Sequence, residues 1–300
     1  MDDRNLLVTV VVSVKRDARV YRLIQSLLDQ TVPMGTYEII VVENGSHDLA
    51  DVGTLGGGVV RYLHAEEANM AAARNMGLNT ARGRYLLMTD ADCIVSPDWI
   101  RHMTGALRSG SAEIVGGPIK KYKPRTFTQR HGITVVDGQQ RLNYLPALSL
   151  PYVAGANAGF MTEKLREVGG FDEAFKSGSD VDICYRLGLQ GCRVGLLPQA
   201  IVLHEDRVSV REHYRRFRDY AVYQVLLYAK YKQVSGKRFV VNRYPFERAV
   251  RALASIPSAL MSVFRGDTDP ASELFLQLVE AIGIWCGDFR GSIRYRQLYI

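Results

Sequence analysis

Cysteine is scarce in this chain: four residues, Cys93, Cys184, Cys192 and Cys286, in 300, and no two at a paired spacing. That argues against a disulfide framework and a zinc knuckle, and fits a reducing compartment. Apolar runs long enough to span a bilayer are missing too. Ala249 to Phe264 is interrupted by Arg251 and Pro257, and Leu274 to Trp285 by Gln277 and Glu280, so both segments read as amphipathic. The first residues, Met1-Asp2-Asp3-Arg4-Asn5, are polar and do not form a secretory signal pattern. A cytoplasmic protein is expected, with peripheral contact to the inner face of a membrane left open. There are no internal repeats and no low-complexity tract.

Glycine-rich phosphate loops are also absent. Ser13-Val14-Lys15-Arg16-Asp17-Ala18 follows the first strand-like run without a glycine. This sets aside a dinucleotide-dependent oxidoreductase, which needs Gly-x-Gly-x-x-Gly there, and a sugar nucleotidyltransferase with its Gly-rich basic loop. No Gly-x-x-x-x-Gly-Lys pattern occurs anywhere. The formal net charge of +7 suits an anionic ligand or lipid surface. No nucleic-acid module accompanies it, and no nucleic-acid partner is expected.

What is present is a 300-residue chain with 47% hydrophobic and 23% charged residues, enough for a large core. Val8-Thr9-Val10-Val11-Val12 reads as a strand covered on both faces. Val20, Leu23, Ile24, Leu27 and Leu28 then share one helical face. Further strands are read at 37–42, 59–63 and 85–89, with an Ala-rich helix over 68–81. Ser96-Pro97-Asp98 opens another helix, with Ser96 as its cap. This alternation is that of an α/β open sheet, whose ligands lie beyond the carboxyl ends of the strands. Residues 120–151 read as an irregular excursion near the site. A long helix is expected from Ser209 to Lys232, and two amphipathic helices after Gly236.

Asp90-Ala91-Asp92 ends the run Tyr85-Leu86-Leu87-Met88-Thr89. Two acids there are costly unless compensated. They bind a cation, meet basic side chains, or lie in water at the strand mouth. A divalent metal bridging to a phosphorylated ligand suits hard carboxylate oxygens.

Several blocks occur in order: Val8 to Ser13, Ser26-Leu27-Leu28-Asp29-Gln30, Ile39 to Asp48, Ala73-Arg74-Asn75-Met76-Gly77, Ala81-Arg82-Gly83, the acidic triplet, Gly169-Gly170-Phe171-Asp172-Glu173 and Asp180-Val181-Asp182. Together they resemble the family-2 inverting glycosyltransferases of the GT-A fold, over about two-thirds of the chain. The resemblance implies an open mixed sheet flanked by helices (GT-A, nucleotide-diphospho-sugar transferase-like) over 1–208 and a C-terminal helical extension over 209–300. It implies a hexosyl- or N-acetylhexosaminyl-transferase taking a UDP-sugar donor. The acceptor class stays open among glycan, lipid-linked, peptide and small-molecule acceptors.

Contacts to the nucleotide-sugar are implied for Ser13, Glu43, Asn69, Arg74, Asp90, Ala156 and Asn157, and Mn²⁺ or Mg²⁺ ligation for Asp92, Asp90 and His204. The general base is implied to be Asp180, with Asp182 as runner-up. Glu43 stands where the family more often has Asp, and is otherwise a turn acid held by backbone N–H groups. Asn69 stands in place of a common Gly and would adopt left-handed backbone. Arg74 faces the nucleotide or pairs with a strand-end acid. Ser179 replaces an acid before the base. Trp99 reads as packing rather than sugar stacking. Arg211, Arg215, Arg216, Arg218, Arg290, Arg294 and Arg296 suggest either docking on an anionic membrane or a helical cap, with a homodimer contact open. The alternative activity is a non-catalytic nucleotide-sugar or glycan-binding protein on the same scaffold.

Overall fold

The computed structural model describes residues 7–132, 143–145, 148–236 and 239–299. They fall into two compact units. One is built mainly from residues up to Lys120 and from Leu150–His204; the other from Glu205 onward together with a segment beginning at Lys121.

The first unit opens with β1 (Val8–Val14), α1 (Val20–Leu28), β2 (Tyr37–Asn44), β3 (Val60–Ala65), α2 (Met70–Thr80), β4 (Tyr85–Asp90), β5 (Cys93–Val95) and α3 (Trp99–Arg108). Next come β6 (Ile114–Gly116), β7 (Ile119–Lys121) and, in the second unit, α4 (Phe127–His131). After the ribbon β8 (Asn143–Leu145) and β9 (Leu148–Tyr152) follow β10 (Ala158–Met161), α5 (Thr162–Glu167), α6 (Ser179–Leu189), β11 (Val194–Leu196) and β12 (Val202–His204).

Among the described residues seven strands form one sheet in the order β11-β6-β10-β4-β1-β2-β3. The neighbours pair in parallel except β10, which runs antiparallel to both β4 and β6. A small second sheet has the order β5-β12-β7.

The continuous apolar runs alternate between two cores. Val10 and Val12 of β1, Ile39 of β2 and Leu87 of β4 pack with α1 and α3 through Leu23, Ile24, Trp99 and Met103. Val11, Leu86 and Met88 face the other way, onto Ala71 and Leu78 of α2 and Ile183 and Leu187 of α6. Covering both faces is what the unbroken β-branched runs require, since neither face meets water. Trp99 is wholly buried and its Nε1 donates to Asn157 Oδ1 at 2.8 Å, a packing role.

The block Ala81-Arg82-Gly83 lies at the amino end of the strands. Thr9 Oγ1 donates to Glu38 at 2.8 Å and accepts from Gly83 N–H at 2.9 Å, and Arg82 N–H donates to Glu38 at 2.9 Å. Glu38 is buried, and Arg61 and Arg82 pair with it. Burial pushes this carboxyl up, but those hydrogen bonds outweigh it and hold it below its ordinary range. Sequence reading singled out neither Thr9 nor Glu38.

Two helix boundaries differ from those expected. α3 begins at Trp99 rather than at Ser96: the Ser96 carbonyl accepts from Trp99 N–H, a turn before the helix proper. Among the described residues after Gly236 there are three helices, not two: α8 (Arg243–Ala254), α9 (Ile256–Phe264) and α10 (Asp269–Tyr295). The break falls at Ser255, with Pro257 in the first turn of α9, where a proline needs no helical N–H partner. The long helix α7 (Val210–Ser235) starts at Ser209, whose side chain accepts from Glu212 N–H in a capping box. α7 and α10 run side by side, because Gly283, Gly287 and Gly291 bring α10 against α7; a Cβ at Gly287 would stand 2.3 Å from the Arg218 carbonyl oxygen. Among the described residues no helix is long and apolar enough to cross a membrane.

A Cβ at position 83 would lie 2.4 Å from Thr9 N, a backbone atom that cannot swing aside. Gly83→Ala should therefore lower stability by about 1–3 kcal/mol, read as a lower urea midpoint at unchanged slope.

Candidate active site

Parallel register brings the acids to one edge. Ser13 lies opposite Asp90 on β4 and Val42 on β2, Val14 lies opposite Glu43, and Glu43 lies opposite His64 on β3. This is the carboxyl edge of the central strands, where an open α/β sheet takes its ligands.

Asp90 and Asp92 both meet cationic side chains. Arg74 Nη2 stands 3.5 Å from Asp90 Oδ1, and Arg19 Nη2 stands 3.6 Å from Asp92 Oδ2. His204, on β12 opposite Cys93, places Nε2 3.4 Å from Asp92 Oδ1. Arg19 at the start of α1 is itself clamped by Asp17 at 2.7 Å; sequence reading missed it, and an arginine six residues beyond Ser13 carries no signal of its own. Of the three ways to compensate the acidic pair, basic partners are present in the structure.

Arg74 is nearly buried and joins two stretches of chain. While Nη2 faces Asp90, Nη1 donates to Ser179 Oγ at 3.0 Å. Its guanidinium lies against Gly155, where a Cβ would come within 2.6 Å of Nη2. Gly155 N–H donates to Asp180 Oδ2 at 2.8 Å, and Val181 N–H donates to Asp180 Oδ1 at 3.1 Å. Asp180 thus sits in the first turn of α6, beside the serine that Arg74 holds. Burial pushes the Asp90 carboxyl up; Arg74 opposes this, Asp92 adds to it, His204 opposes it and Asp180 adds to it. Shared partners tie these groups together: Arg74 meets Asp90 and Ser179, the neighbour of Asp180, and Asp92 meets His204.

Other expected contacts are spoken for. Glu43 is fully buried, and its carboxylate accepts from Ser46 Oγ at 2.7 Å, Asp48 N–H and Leu49 N–H at 3.0 Å, and Tyr62 O–H at 2.9 Å. The turn-acid reading describes this geometry. Asn69 does not take left-handed backbone: φ is −132° and ψ 114°, and its Oδ1 caps α2 by accepting from Ala71 N–H at 3.0 Å. An N-cap residue needs extended backbone, which overrides asparagine's tolerance of the left-handed region. Its Nδ2 donates to the Glu173 carbonyl at 3.0 Å. Asn157 is wholly buried, its Nδ2 donating to the Pro118 and Ala200 carbonyls and its Oδ1 accepting from Trp99, so its side chain faces the core and not a donor. Ala156 is buried beside it. Asp182 is buried on Arg186 at 2.9 Å, which removes the runner-up base from the cluster.

Among the described residues no three His, Cys, Asp or Glu side chains converge as a ready-made metal cage. The donor set nonetheless fits a hard divalent cation: two carboxylates and an imidazole beside one of them, with room in a cation's coordination sphere for phosphate oxygens. Residues 133–142 and 146–147 of the expected excursion lie outside the described residues.

Residues 9–169 match the family model described as glycosyl transferase family 2, more than half of the chain. The chain belongs to this family. A pre-mycofactocin glycosyltransferase of Mycobacterium tuberculosis is 29% identical over 213 residues, 68% of this chain and 44% of that protein. The chain therefore spans less than half the length of that relative. A mannosyltransferase from Pyrobaculum calidifontis, solved with GDP-Man and Mn²⁺, superposes with a TM-score of 0.63 at 18% identity over 96% of this chain and 88% of that one. GalNAc-T7, solved with UDP, GalNAc and Mn²⁺, gives a TM-score of 0.54 at 17% identity, covering 75% and 51%. Both have the GT-A fold seen here.

Burial raises the Glu43 carboxyl, but its four hydrogen bonds outweigh this and hold it below its ordinary value. A depressed carboxyl stabilises the fold above its unfolded pKa and loses that contribution as pH falls through its folded one. Glu43→Gln should thus be less stable than the parent at neutral pH, with the gap narrowing below the ordinary glutamate range, read from urea midpoints across pH 7 to about 3.

Proposed function

We propose that this family-2 glycosyltransferase moves a sugar from a UDP-sugar to an acceptor hydroxyl with inversion at the anomeric carbon. The observation that carries this reading is the Arg74 bridge: one buried guanidinium holds Asp90 on the strand edge and, through Ser179, the turn bearing Asp180.

In this reading Asp180 is the general base. Two backbone N–H groups orient its carboxylate, and each carboxylate oxygen keeps a second lone pair for the acceptor proton. Ser13 and Asp90 face the donor at the strand edge. Glu43 holds the backbone turn through Leu49 rather than reaching the uracil itself. Gly155 and Ala156 contribute backbone, the side chain of Asn157 being engaged below. Arg19 and Arg74 balance the acids in the absence of donor and present positive charge to a diphosphate. Asp92, with Asp90 and His204, would hold Mn²⁺ or Mg²⁺, which when bound supplies Lewis-acid neutralisation of the diphosphate leaving group. Neighbours solved with either GDP-Man or UDP make the nucleotide a matter for direct measurement.

Thermal stabilisation by UDP and by GDP, each with and without Mn²⁺, tests donor and metal together. UDP with Mn²⁺ is expected to raise the melting temperature more than either alone or than GDP. Asp92→Ala should abolish the metal-dependent part. Asp180→Asn should keep the UDP shift while turnover falls by about 10²–10⁴, measured as UDP release in the presence of acceptor. Near-normal turnover in Asp180→Asn would refute the base. Nucleotide binding with no UDP release from any donor–acceptor pair would instead favour the non-catalytic reading.

A further inference from the structure

The formal charge of the chain is unevenly placed. Residues 209–300 contain fifteen Lys and Arg against eight Asp and Glu, so they carry the whole of the +7. Within them, the stretches Tyr220–Phe246 and Phe289–Tyr299 contain no acid at all.

The fold gathers these two stretches. Val240 N–H donates to the Leu298 carbonyl at 3.2 Å and Val240 bridges to Tyr299. Tyr228 and Tyr299 stack with ring centroids 5.6 Å apart, and Lys232 Nζ donates to Gln297 at 3.2 Å. The carboxyl ends of α7 and α10 therefore share one end of the helical unit. Lys230, Arg290, Arg294 and Arg296 are exposed there. The acid just before this stretch, Asp288, is buried and engaged by Asn242 Nδ2 at 2.9 Å.

Large apolar side chains stand among these cations. Phe239, Val241, Phe289, Ile293 and Leu298 are each more than half exposed. Phe289 and Ile293 are one turn apart on α10, on the side away from the glycine seam that packs on α7. Single exposed apolar residues need no explanation, but a cluster of them on one end, interleaved with cations, does.

We propose that this end of the helical unit docks on an anionic lipid bilayer, the cations on the headgroups and the apolar side chains in the layer beneath. Charge selects this occupant over a second copy of the chain, which would bring the same acid-free cationic end against it. Nucleic acid would meet the cations but leave Val241, Ile293 and Leu298 nothing to bury in. A bilayer supplies both chemistries in order of depth. The contact is peripheral, since no helix among the described residues is long and apolar enough to span. The arginines expected to dock from the amino half of α7 divide differently: Arg216 is buried on Asp206 and Arg218 pairs with Asp219 at 2.6 Å. Docking is separable from transfer, and its test needs no donor or acceptor.

Co-sedimentation of the full chain with vesicles of phosphatidylcholine plus phosphatidylglycerol, and with phosphatidylcholine alone, decides it. Binding is expected to the mixed vesicles only and to fall with added salt. Arg290→Gln and Arg294→Gln should each weaken it about fivefold. Phe239→Ser combined with Val241→Ser should abolish it at an unchanged melting temperature. Three results would overturn the proposal: no sedimentation with the mixed vesicles, sedimentation that the two arginine variants leave intact, or a dimer in analytical ultracentrifugation that the Phe239→Ser/Val241→Ser pair dissolves. Comparable retention of parent and arginine variants on a polyanion such as heparin would not rescue the last two outcomes.

Discussion

Strand β4 and the turn after it deliver two carboxylates to the edge of a sheet buried on both faces, and the side chains around them answer that demand. Removing a charge from water costs several kcal/mol even after relaxation. Asp90 and Asp92 also repel each other, and Asp180 adds to the burden on Asp90. Arg74 and Arg19 are the compensation, each within 3.6 Å of one acid. An arginine suits this role because its fork can serve two partners at once and never loses its proton. Arg74 uses that property across more than a hundred residues of sequence, with Asp90 on one nitrogen and Ser179 on the other.

The bridge also bears on one departure from the pattern that the resemblance implies, Ser179. With Ser179 in place of an acid, Arg74 keeps a hydrogen-bond acceptor there but gains no second carboxylate, so its charge is directed at Asp90. Had position 179 been acidic, four carboxylates would have met two guanidinium groups and one imidazole in the same neighbourhood. Glycine at 155 then admits the guanidinium against the backbone and leaves its N–H for Asp180. Glu43, whose extra methylene first suggests altered base recognition, uses its reach to collect two backbone N–H groups and two hydroxyls from its own turn and from β3.

The fold was readable where periodicity and order carried it. Alternate burial of Val10, Val11 and Val12, the α1 face of Leu23, Ile24 and Leu27, and the acids at the ends of β2 and β4 all follow from local pattern. The family match spans residues 9–169, within which most of the ordered blocks fall. What local pattern does not encode is partnership at a distance. Nothing near Arg19 points to Asp92, and nothing near Asn157 announces that its amide is consumed by Trp99, Pro118 and Ala200. Asn69 failed for a different reason: its residue type suits both a left-handed turn and a helix cap, and the helix that follows decides between them.

Charge is partitioned as sharply as structure. Residues 1–208 hold equal numbers of acids and bases, so their net charge supplies no overall attraction for a diphosphate at the acidic edge. In the proposed reading that attraction comes from Arg19 and Arg74, which stand 3.6 Å from Asp92 and 3.5 Å from Asp90. A donor diphosphate therefore competes with the carboxylates for the same two guanidinium groups. The exchange is favourable only if the acids it displaces find another positive partner at the same moment. A divalent cation meets that condition, and the donor set of Asp90, Asp92 and His204 is of the kind that holds one. On this view donor and cation should bind with positive coupling, each removing the obstacle that the other faces.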